Sequence, residues 1–264
     1  EKKMNNKNYK TAASGTNRIA IASKVCYCVF TMIIFFGTFV YAQPSEIWSR
    51  MYSNPNGNGN DYADKSIVDA QGNIYIAAST RTVNTNDDIM LLKYNSAGTL
   101  LWTKVYNYSY NGTEQPNDIC FDNSGNVYVT GTSTRGPGGS YDCILLKYDQ
   151  NGNIIWVKRI NRTNFEDRDC EGVSLVARDG IYVGMTLNYN GYSECGIAKY
   201  SFTGDSLAYL SLGAVTNYTF RMVKMVKDNS LNLYAVSVGE IVLNEESDII
   251  IRKINTNGVF AVEW

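Results

Sequence analysis

Four acidic residues recur at one position of a repeated sequence block, and they are the first candidates for chemistry in this chain. A ring of carboxylates on one face of a repeat protein could bind cations or a basic ligand. Repetition instead favours a structural role, because a catalytic site uses a few unique residues whereas a repeated acid usually accepts backbone hydrogen bonds in its own unit. The four acids are Asp88, Asp142, Glu194 and Asp248.

Histidine is absent from the whole sequence. This excludes Ser-His-Asp and Cys-His catalytic groups, zinc sites with imidazole ligands and histidine pH switches. The densest unrepeated charges lie at 166–171, and we expect them to form a solvated loop. We therefore expect no enzymatic activity, and a carboxylate-dependent polysaccharide-degrading enzyme is the alternative.

Residues 54–61 alternate oxygen-bearing side chains with glycines, as calcium loops do. The segment lacks the acid positions of the EF-hand pattern, including its closing Glu. We interpret it as a flexible loop. No metal and no cofactor are expected.

A tyrosine recurs once per unit and could suggest a series of sugar-stacking rings. Its regular place within a strand favours a packing role between units. Ligand contacts are expected from the more variable loops at 81–87, 132–141 and 187–193, whose Asn, Thr, Gly and Tyr content suits hydrogen bonding to a protein or glycan partner. The four tyrosines are Tyr75, Tyr128, Tyr182 and Tyr234.

Four cysteines follow residue 42, and an even number permits disulfides in an exported protein. Cys143 and Cys195 stand where other units have Ile, so a buried apolar position explains them. Cys120 also aligns with apolar residues. Cys170 has no such counterpart, which leaves a Cys120–Cys170 bridge open.

One unit recurs four times and predicts the fold. Its clearest half begins at each acid, as in Asp88-Ile-Met-Leu-Leu-Lys-Tyr94, and the copies start 54, 52 and 54 residues apart. Gly-Asn turns between runs of Val, Ile, Tyr and Thr indicate four short strands per unit. The prediction is an all-β fold, a β-propeller of four-stranded antiparallel blades with an incomplete ring in this chain. A β-solenoid is the rival, but its coils are usually shorter.

Two sequence blocks resemble a known family. Gly-Asn-Val-Tyr-Val-Thr-Gly-Thr-Ser at 125–133 and Asp-Cys-Ile-Leu-Leu-Lys-Tyr at 142–148 look like the SBBP β-propeller repeats of exported, Bacteroidetes-like bacterial proteins. The resemblance covers about residues 45–264 and implies a propeller, but it carries no catalytic motif. The fourth-strand residues Trp102 and Trp156 become Ala208 and Val262 in the last two units.

Residues 1–42 have the pattern of a signal peptide, with a basic start, an uncharged stretch at 25–40 and a cleavage site after Ala42. The uncharged stretch is shorter than the roughly 20 apolar residues of a spanning helix, so cleavage is favoured over an uncleaved anchor. We expect a secreted or cell-surface protein without a membrane segment after cleavage. Residues 43–264 then hold 18 Lys and Arg against 24 Asp and Glu, a net charge of −6. This balance argues against nucleic-acid binding.

The predicted blades span about 62–107, 115–161, 170–213 and 221–264. Residues 46–52 resemble the last strand of a blade, like Leu101–Tyr106, yet no earlier strands precede them. In propellers such an orphan strand commonly completes the final blade, and we expect further blades and a sorting domain after residue 264. The predicted function is a monomeric, non-enzymatic module for binding, adhesion or scaffolding in a larger exported protein.

Overall fold

The structure is a computed structural model, and it describes the chain from residue 45 onward with short gaps. The signal peptide predicted at 1–42 lies outside the described residues. The described ranges are 45–82, 86–108, 112–134, 141–160, 166–176, 179–189, 192–214, 218–230, 232–241, 247–255 and 261–263.

The described residues form sixteen strands in four antiparallel sheets. Each sheet holds four strands that pair in chain order, so every sheet is one repeat unit. The strands of the first two sheets are β1 (Gly57–Val68), β2 (Ile74–Thr82), β3 (Asp87–Tyr94), β4 (Leu100–Tyr106), β5 (Glu114–Phe121), β6 (Val127–Thr134), β7 (Tyr141–Tyr148) and β8 (Ile154–Ile160). Those of the last two are β9 (Glu166–Val176), β10 (Gly180–Tyr189), β11 (Tyr192–Tyr200), β12 (Ser206–Ala214), β13 (Tyr218–Lys227), β14 (Leu233–Ile241), β15 (Ser247–Asn255) and β16 (Ala261–Glu263).

Alternating side chains give each sheet two apolar faces, and successive sheets pack face to face. In the first sheet Tyr75, Ile89 and Leu91 point toward the second sheet, where they meet Val129 and Ile144. Equivalent clusters join the second sheet to the third and the third to the fourth. The first strands of neighbouring sheets also contact one another. These features confirm the β-propeller of four-stranded blades, here as an incomplete ring.

A Lys–Tyr–Trp clasp links neighbouring blades. The ammonium of Lys93 lies 4.7 Å from the ring centroid of Tyr75, and Lys147 stands 5.3 Å over Tyr128 in the same way. The indole N–H of Trp102 donates to the carbonyl of Gln150 in the next blade at 3.3 Å. Tyr75, Tyr128 and Tyr182 are buried in blade interfaces, which agrees with the predicted packing role, whereas Tyr234 is half-buried.

The last two blades lack the clasp tryptophan, as the sequence predicts. Ala208 lies opposite Lys199, where Trp102 lies opposite Lys93. In the fourth blade the residue opposite Lys253 is Glu263 rather than Val262, one position later than the sequence alignment gives.

The cysteines differ from the sequence-based interpretation. Cys120 is a free thiol, so a Cys120–Cys170 bridge is wrong. Cys143 is disulfide-bonded, whereas the sequence indicated only a buried apolar position. A buried site accepts a thiol or a disulfide equally well, so the repeat alignment alone could not separate them. Cys195 forms no disulfide bond and is buried, as predicted.

Residues 46–52, predicted as an orphan strand, have no strand pairing in the structure. A strand requires a neighbour for its backbone hydrogen bonds, and Trp48 and Arg50 meet the first blade through their side chains instead. The described residues contain no helix that could span a membrane.

Candidate binding face

One face of the molecule carries short turns that repeat from blade to blade. In the turn at 149–153, Asp149 Oδ1 accepts the backbone N–H groups of Asn151 and Asn153 at 2.9 and 2.8 Å. Hydrogen bonds from Asn153 hold the pKa of the Asp149 carboxyl below its ordinary value. We call this side the turn face. Turns of the same backbone pattern lie at 69–73, 95–99, 122–126, 149–153, 201–205 and 228–232.

The opposite side, which we call the connection face, carries segments of unequal length. All three loops predicted to contact a ligand lie there, although residues 83–85, 135–140 and 190–191 are outside the described part of the chain. Arg81 pairs with Asp87 at 2.8 Å and remains half exposed, and the Tyr141 side chain is also exposed. The second and third strands are joined at 83–86, 135–140, 190–191 and 242–246, and successive blades at 107–113, 161–165 and 215–217.

Two first-strand acids, which the sequence analysis missed, tie the inter-blade segments to the sheets. Asp61 Oδ2 accepts the backbone N–H of Asn54 at 2.8 Å, and its Oδ1 accepts the Thr80 hydroxyl. Residues 57–61 belong to β1, so only 54–56 of the predicted flexible loop precede the strand. Both carboxylate oxygens of Asp61 therefore accept hydrogen bonds from other groups of the protein.

Glu114 repeats this arrangement in the second blade. Its Oε2 accepts the backbone N–H of Tyr108 at 3.3 Å, and its Oε1 accepts the Ser133 hydroxyl at 2.9 Å. Burial raises the pKa of the Glu114 carboxyl, with the nearby Asp88 carboxylate adding to the rise. The Glu114 side chain is buried, and its hydrogen bond from the Tyr108 backbone N–H holds the inter-blade segment against the second blade.

The repeated acids predicted as candidates stand near the start of the third strand in every blade. Asp88, Asp142 and Glu194 are buried, while Asp248 is exposed. Glu194 Oε1 accepts the Tyr209 hydroxyl at 3.0 Å within its own blade. No group of three or more His, Cys, Asp or Glu side chains placed to hold a metal ion occurs among the described residues. The contacts of Asp142 and Glu194 join the third and fourth strands within their own blades.

Arg159 creates an unrepeated cluster at the connection face of the second blade. Its guanidinium donates to the buried carboxylate of Asp142 and to the hydroxyl of Ser133. The same guanidinium lies 3.9 Å from the ring centroid of Tyr108. The equivalent residue of the first blade is Val105. Tyr108, Glu114, Ser133, Asp142 and Arg159 form what we call the rim cluster.

An ion pair joins the first strands of the second and fourth blades. Lys224 Nζ, on the first strand of the fourth blade, lies 2.7 Å from Asp118 Oδ2 on the first strand of the second blade. Both residues directly follow a register shift in their strands, at the place that Lys65 takes in the first blade. The pair joins two blades that are not neighbours in the chain.

The comparisons with known proteins agree with this architecture. Residues 101–138 match the family model described as SBBP, a beta-propeller repeat. This part of the chain is similar to an SBBP repeat. The match runs from the fourth strand of the first blade through the second strand of the next, so it includes the clasp residue Trp102 and the rim residues Glu114 and Ser133. None of the curated proteins matches the chain.

Two solved structures share the fold at low sequence identity. The Hadza microbial sialidase Hz136 superposes with a TM-score of 0.55 and 10% identity, over 77% of this chain and 46% of that one. A polysaccharide lyase of family PL25, an ulvan lyase, superposes with a TM-score of 0.51 and 12% identity, over 72% of this chain and 50% of that one. The chain spans about half the length of these structures. At such identities the likeness shows the propeller fold alone.

Proposed function

We propose that this protein is an exported, non-enzymatic propeller module that binds a glycan through its connection face, as part of a larger surface or secreted protein. The observation that carries the proposal is the difference between the two faces. The turn face repeats one hydrogen-bonded turn, whereas the connection face carries segments that differ in every blade. Variable segments on a repeated frame are the common arrangement of a recognition surface.

Exposed groups at the connection face suit a sugar ligand. Tyr141 offers an aromatic ring, on which the apolar face of a sugar can stack. Arg81 offers guanidinium donors, which suit hydroxyl and carboxylate oxygens. In the second blade the rim cluster joins β7, the strand that presents Tyr141, to β6 and β8. The module would act as a monomer.

Two observations support an exported location. The first is the signal pattern of residues 1–42, and the second is the disulfide bond at Cys143. Disulfides persist in oxidising compartments and are rare in the cytosol. The thiols of Cys120 and Cys195, which form no disulfide bond, are compatible with this location because Cys195 is buried and Cys120 is half-buried in the sheets.

An immobilised panel of neutral, uronic-acid and sulfated polysaccharides tests the function. We expect the protein to be retained by at least one class of polymer, and incubation with that polymer should release no new reducing ends or unsaturated products. Failure to bind any glycan in the panel would contradict the glycan ligand. Release of products would contradict the non-enzymatic role and favour a polysaccharide-degrading enzyme.

A further inference from the structure

Lysine side chains gather at the turn face. Lys93 Nζ donates to the Gln150 carbonyl at 3.5 Å. Lys147 Nζ donates to the Phe202 carbonyl at 2.8 Å, and both carbonyls belong to turns of the following blade. Carboxylates of the turns lie among these ammonium groups, so the turn face holds charges of both signs. The lysines that lie beside turns are Lys93, Lys104, Lys147, Lys158 and Lys199.

The connection face is built mainly from acids. Each blade places one of the four repeated acids there, near the start of its third strand. Asp61, Glu114 and Glu166 stand toward the same end of the first strands, and Asp87 and Glu240 lie beside the connections between second and third strands. In the described part of the chain these acids outnumber the arginines toward the same strand ends, which are Arg81, Arg159, Arg168 and Arg221.

Acids already balance the charge of two of these arginines. Arg81 lies 2.8 Å from Asp87 Oδ1 and donates to it. Arg159 donates to the buried carboxylate of Asp142, and its guanidinium stacks on the ring of Tyr108. A carboxylate or sulfate of a ligand would have to displace a protein carboxylate to gain either cation, and the displaced acid would then repel it.

Uncharged polar groups remain accessible at the same face. Asn60 and Tyr62 are exposed on the first strand, with the Asn60 amide donating to the Tyr62 hydroxyl at 2.7 Å. The Gln115 amide is exposed at the start of the second blade, and the Tyr141 ring is exposed on its third strand. Amide and phenol groups both donate and accept hydrogen bonds, as sugar hydroxyls do. The available contacts therefore match an uncharged sugar.

The lysines of the turn face lie too far away to neutralise the acids of the connection face. Asp88 and Lys93 are five positions apart on β3, which corresponds to about 17 Å of strand. At physiological ionic strength, charges are screened over about 8 Å. A ligand at the connection face is therefore exposed to the acids and not to the lysines.

We propose that the connection face selects uncharged polysaccharides and rejects polymers that carry uronate or sulfate groups. The inference rests on the proposed glycan binding and narrows its ligand class. Hydrogen bonds and stacking supply the attraction to a neutral sugar, and repulsion between like charges supplies the selection against acidic polymers.

The test compares one polysaccharide in a neutral and an anionic form. A neutral polymer that retains the protein is lightly sulfated, and a methyl ether with the same degree of substitution controls for the added bulk. We expect the sulfated form to bind roughly tenfold more weakly at about 0.15 M ionic strength, and the difference to shrink as salt is added. Binding of the neutral polymer and its methyl ether should not depend on salt.

Two double variants with equal changes in net charge locate the effect. Glu240→Gln with Asp248→Asn removes two negative charges from exposed positions of the connection face. Gln71→Lys with Asn151→Lys adds two positive charges at exposed positions of the turn face. We expect the first double variant to narrow the difference between the neutral and sulfated polymers by roughly threefold, and the second to leave it unaltered.

The outcomes separate this inference from the proposed function. Retention by no polymer in the panel contradicts the glycan ligand itself, and the inference fails with it. Retention by uronate or sulfated polymers alone, or equal affinity for the neutral and sulfated forms, overturns the charge selection and leaves glycan binding intact. An equal response of the two double variants also overturns it, because the selection would then come from the net charge of the protein and not from the connection face.

Discussion

At the scale of single residues, the rim cluster shows how a charged group is kept inside a blade. Asp142 is buried, and the Arg159 guanidinium compensates the desolvated carboxylate while also stacking on Tyr108. Removing one member of a buried ion pair leaves the other in a low-dielectric site, which costs far more than the loss of an exposed pair. We therefore expect the loss of Arg159 to lower the free energy of unfolding more than the loss of an exposed charged residue does.

Arg159→Ala should lower the free energy of unfolding by about 3 kcal/mol, since it removes the cation beside Asp142. The matched control is Arg81→Ala, because Arg81 forms an exposed pair with Asp87 and should contribute less than about 1 kcal/mol. Urea unfolding of both variants measures the difference. Equal losses would show that the rim pair is no stronger than a surface pair.

The carboxylates of the turns should make the stability of the fold depend on pH in the acidic range. Hydrogen bonds from Asn153 lower the folded-state pKa of Asp149 below its unfolded value of about 3.9, so its stabilising contribution is present above that value. The contribution is lost as the pH falls through the folded-state pKa. Asp149→Asn should therefore reduce the melting temperature at pH 7, and the gap to the parent protein should narrow toward pH 2. A gap that is constant with pH would contradict this origin.

Sequence reasoning at this scale reached the repeated residues and missed the unrepeated ones. The acids recur in every unit, and their position near the start of the third strand could be read from the alignment. Arg159 stands where the first blade has Val105, and nothing in the sequence shows that its side chain reaches across β7 to Ser133. The available signal was an Arg at a position that holds Val105 in the first blade and Ser211 in the third.

At the scale of strands and turns, the blade interface depends on glycines that face a tryptophan. Gly152 has a positive φ of 77°, and a Cβ there would lie 3.1 Å from the Trp102 ring and 2.8 Å from Lys104 Cγ. The turn thus serves both the hairpin and the contact with the preceding blade. A side chain at this position would therefore strain the turn backbone and push against Trp102.

Gly152→Ala should cost about 2 to 3 kcal/mol, of which about 1 kcal/mol is the left-handed backbone and the rest displacement of Trp102. Gly72→Ala is the control, since Gly72 has a φ of 79° and its added Cβ would meet only Ser96 Cβ at 3.2 Å. Thermal unfolding compares the two. If the two variants lose the same stability, the clasp contributes little.

Strand number and order could be predicted at this scale because the period of 52 to 54 residues recurs in both halves of the unit. Boundaries were less predictable. β1 begins at Gly57 within a segment interpreted as a loop, because Asp61 and Thr80 hold that end of the strand to β2. The residue opposite Lys253 also shifted by one position, which a sequence alignment without backbone pairing could not show.

At the scale of the whole molecule, the disulfide bond at Cys143 adds a covalent restraint to the packing of the sheets. Reduction should lower the free energy of unfolding by about 2 to 4 kcal/mol, because the Cys143 bond restricts the unfolded chain. Cys143→Ser should remove the response to reductant, whereas Cys195→Ser should retain it because Cys195 forms no disulfide bond. A reductant effect that persists in Cys143→Ser would place the sensitive bond elsewhere.

The propeller itself could be predicted from sequence, whereas its closure and ligand could not. Repetition of Tyr and Lys in every unit indicates stacking, because a single sheet leaves an apolar face uncovered. The pair between Lys224 and Asp118 joins residues 106 positions apart on two first strands, and only the folded arrangement brings them together. Ligand choice depends on segments that share no pattern among blades.

A comparison of glycan affinity between face-specific variants tests the central claim most directly. Tyr141→Ala and Arg81→Ala change exposed groups of the connection face, and Gln71→Ala and Asn151→Ala change exposed groups of the turn face. For the polysaccharide retained from the panel, the account predicts at least a tenfold loss of affinity in the first pair and no change in the second. Loss confined to the turn-face variants, or equal loss in both pairs, would contradict recognition at the connection face.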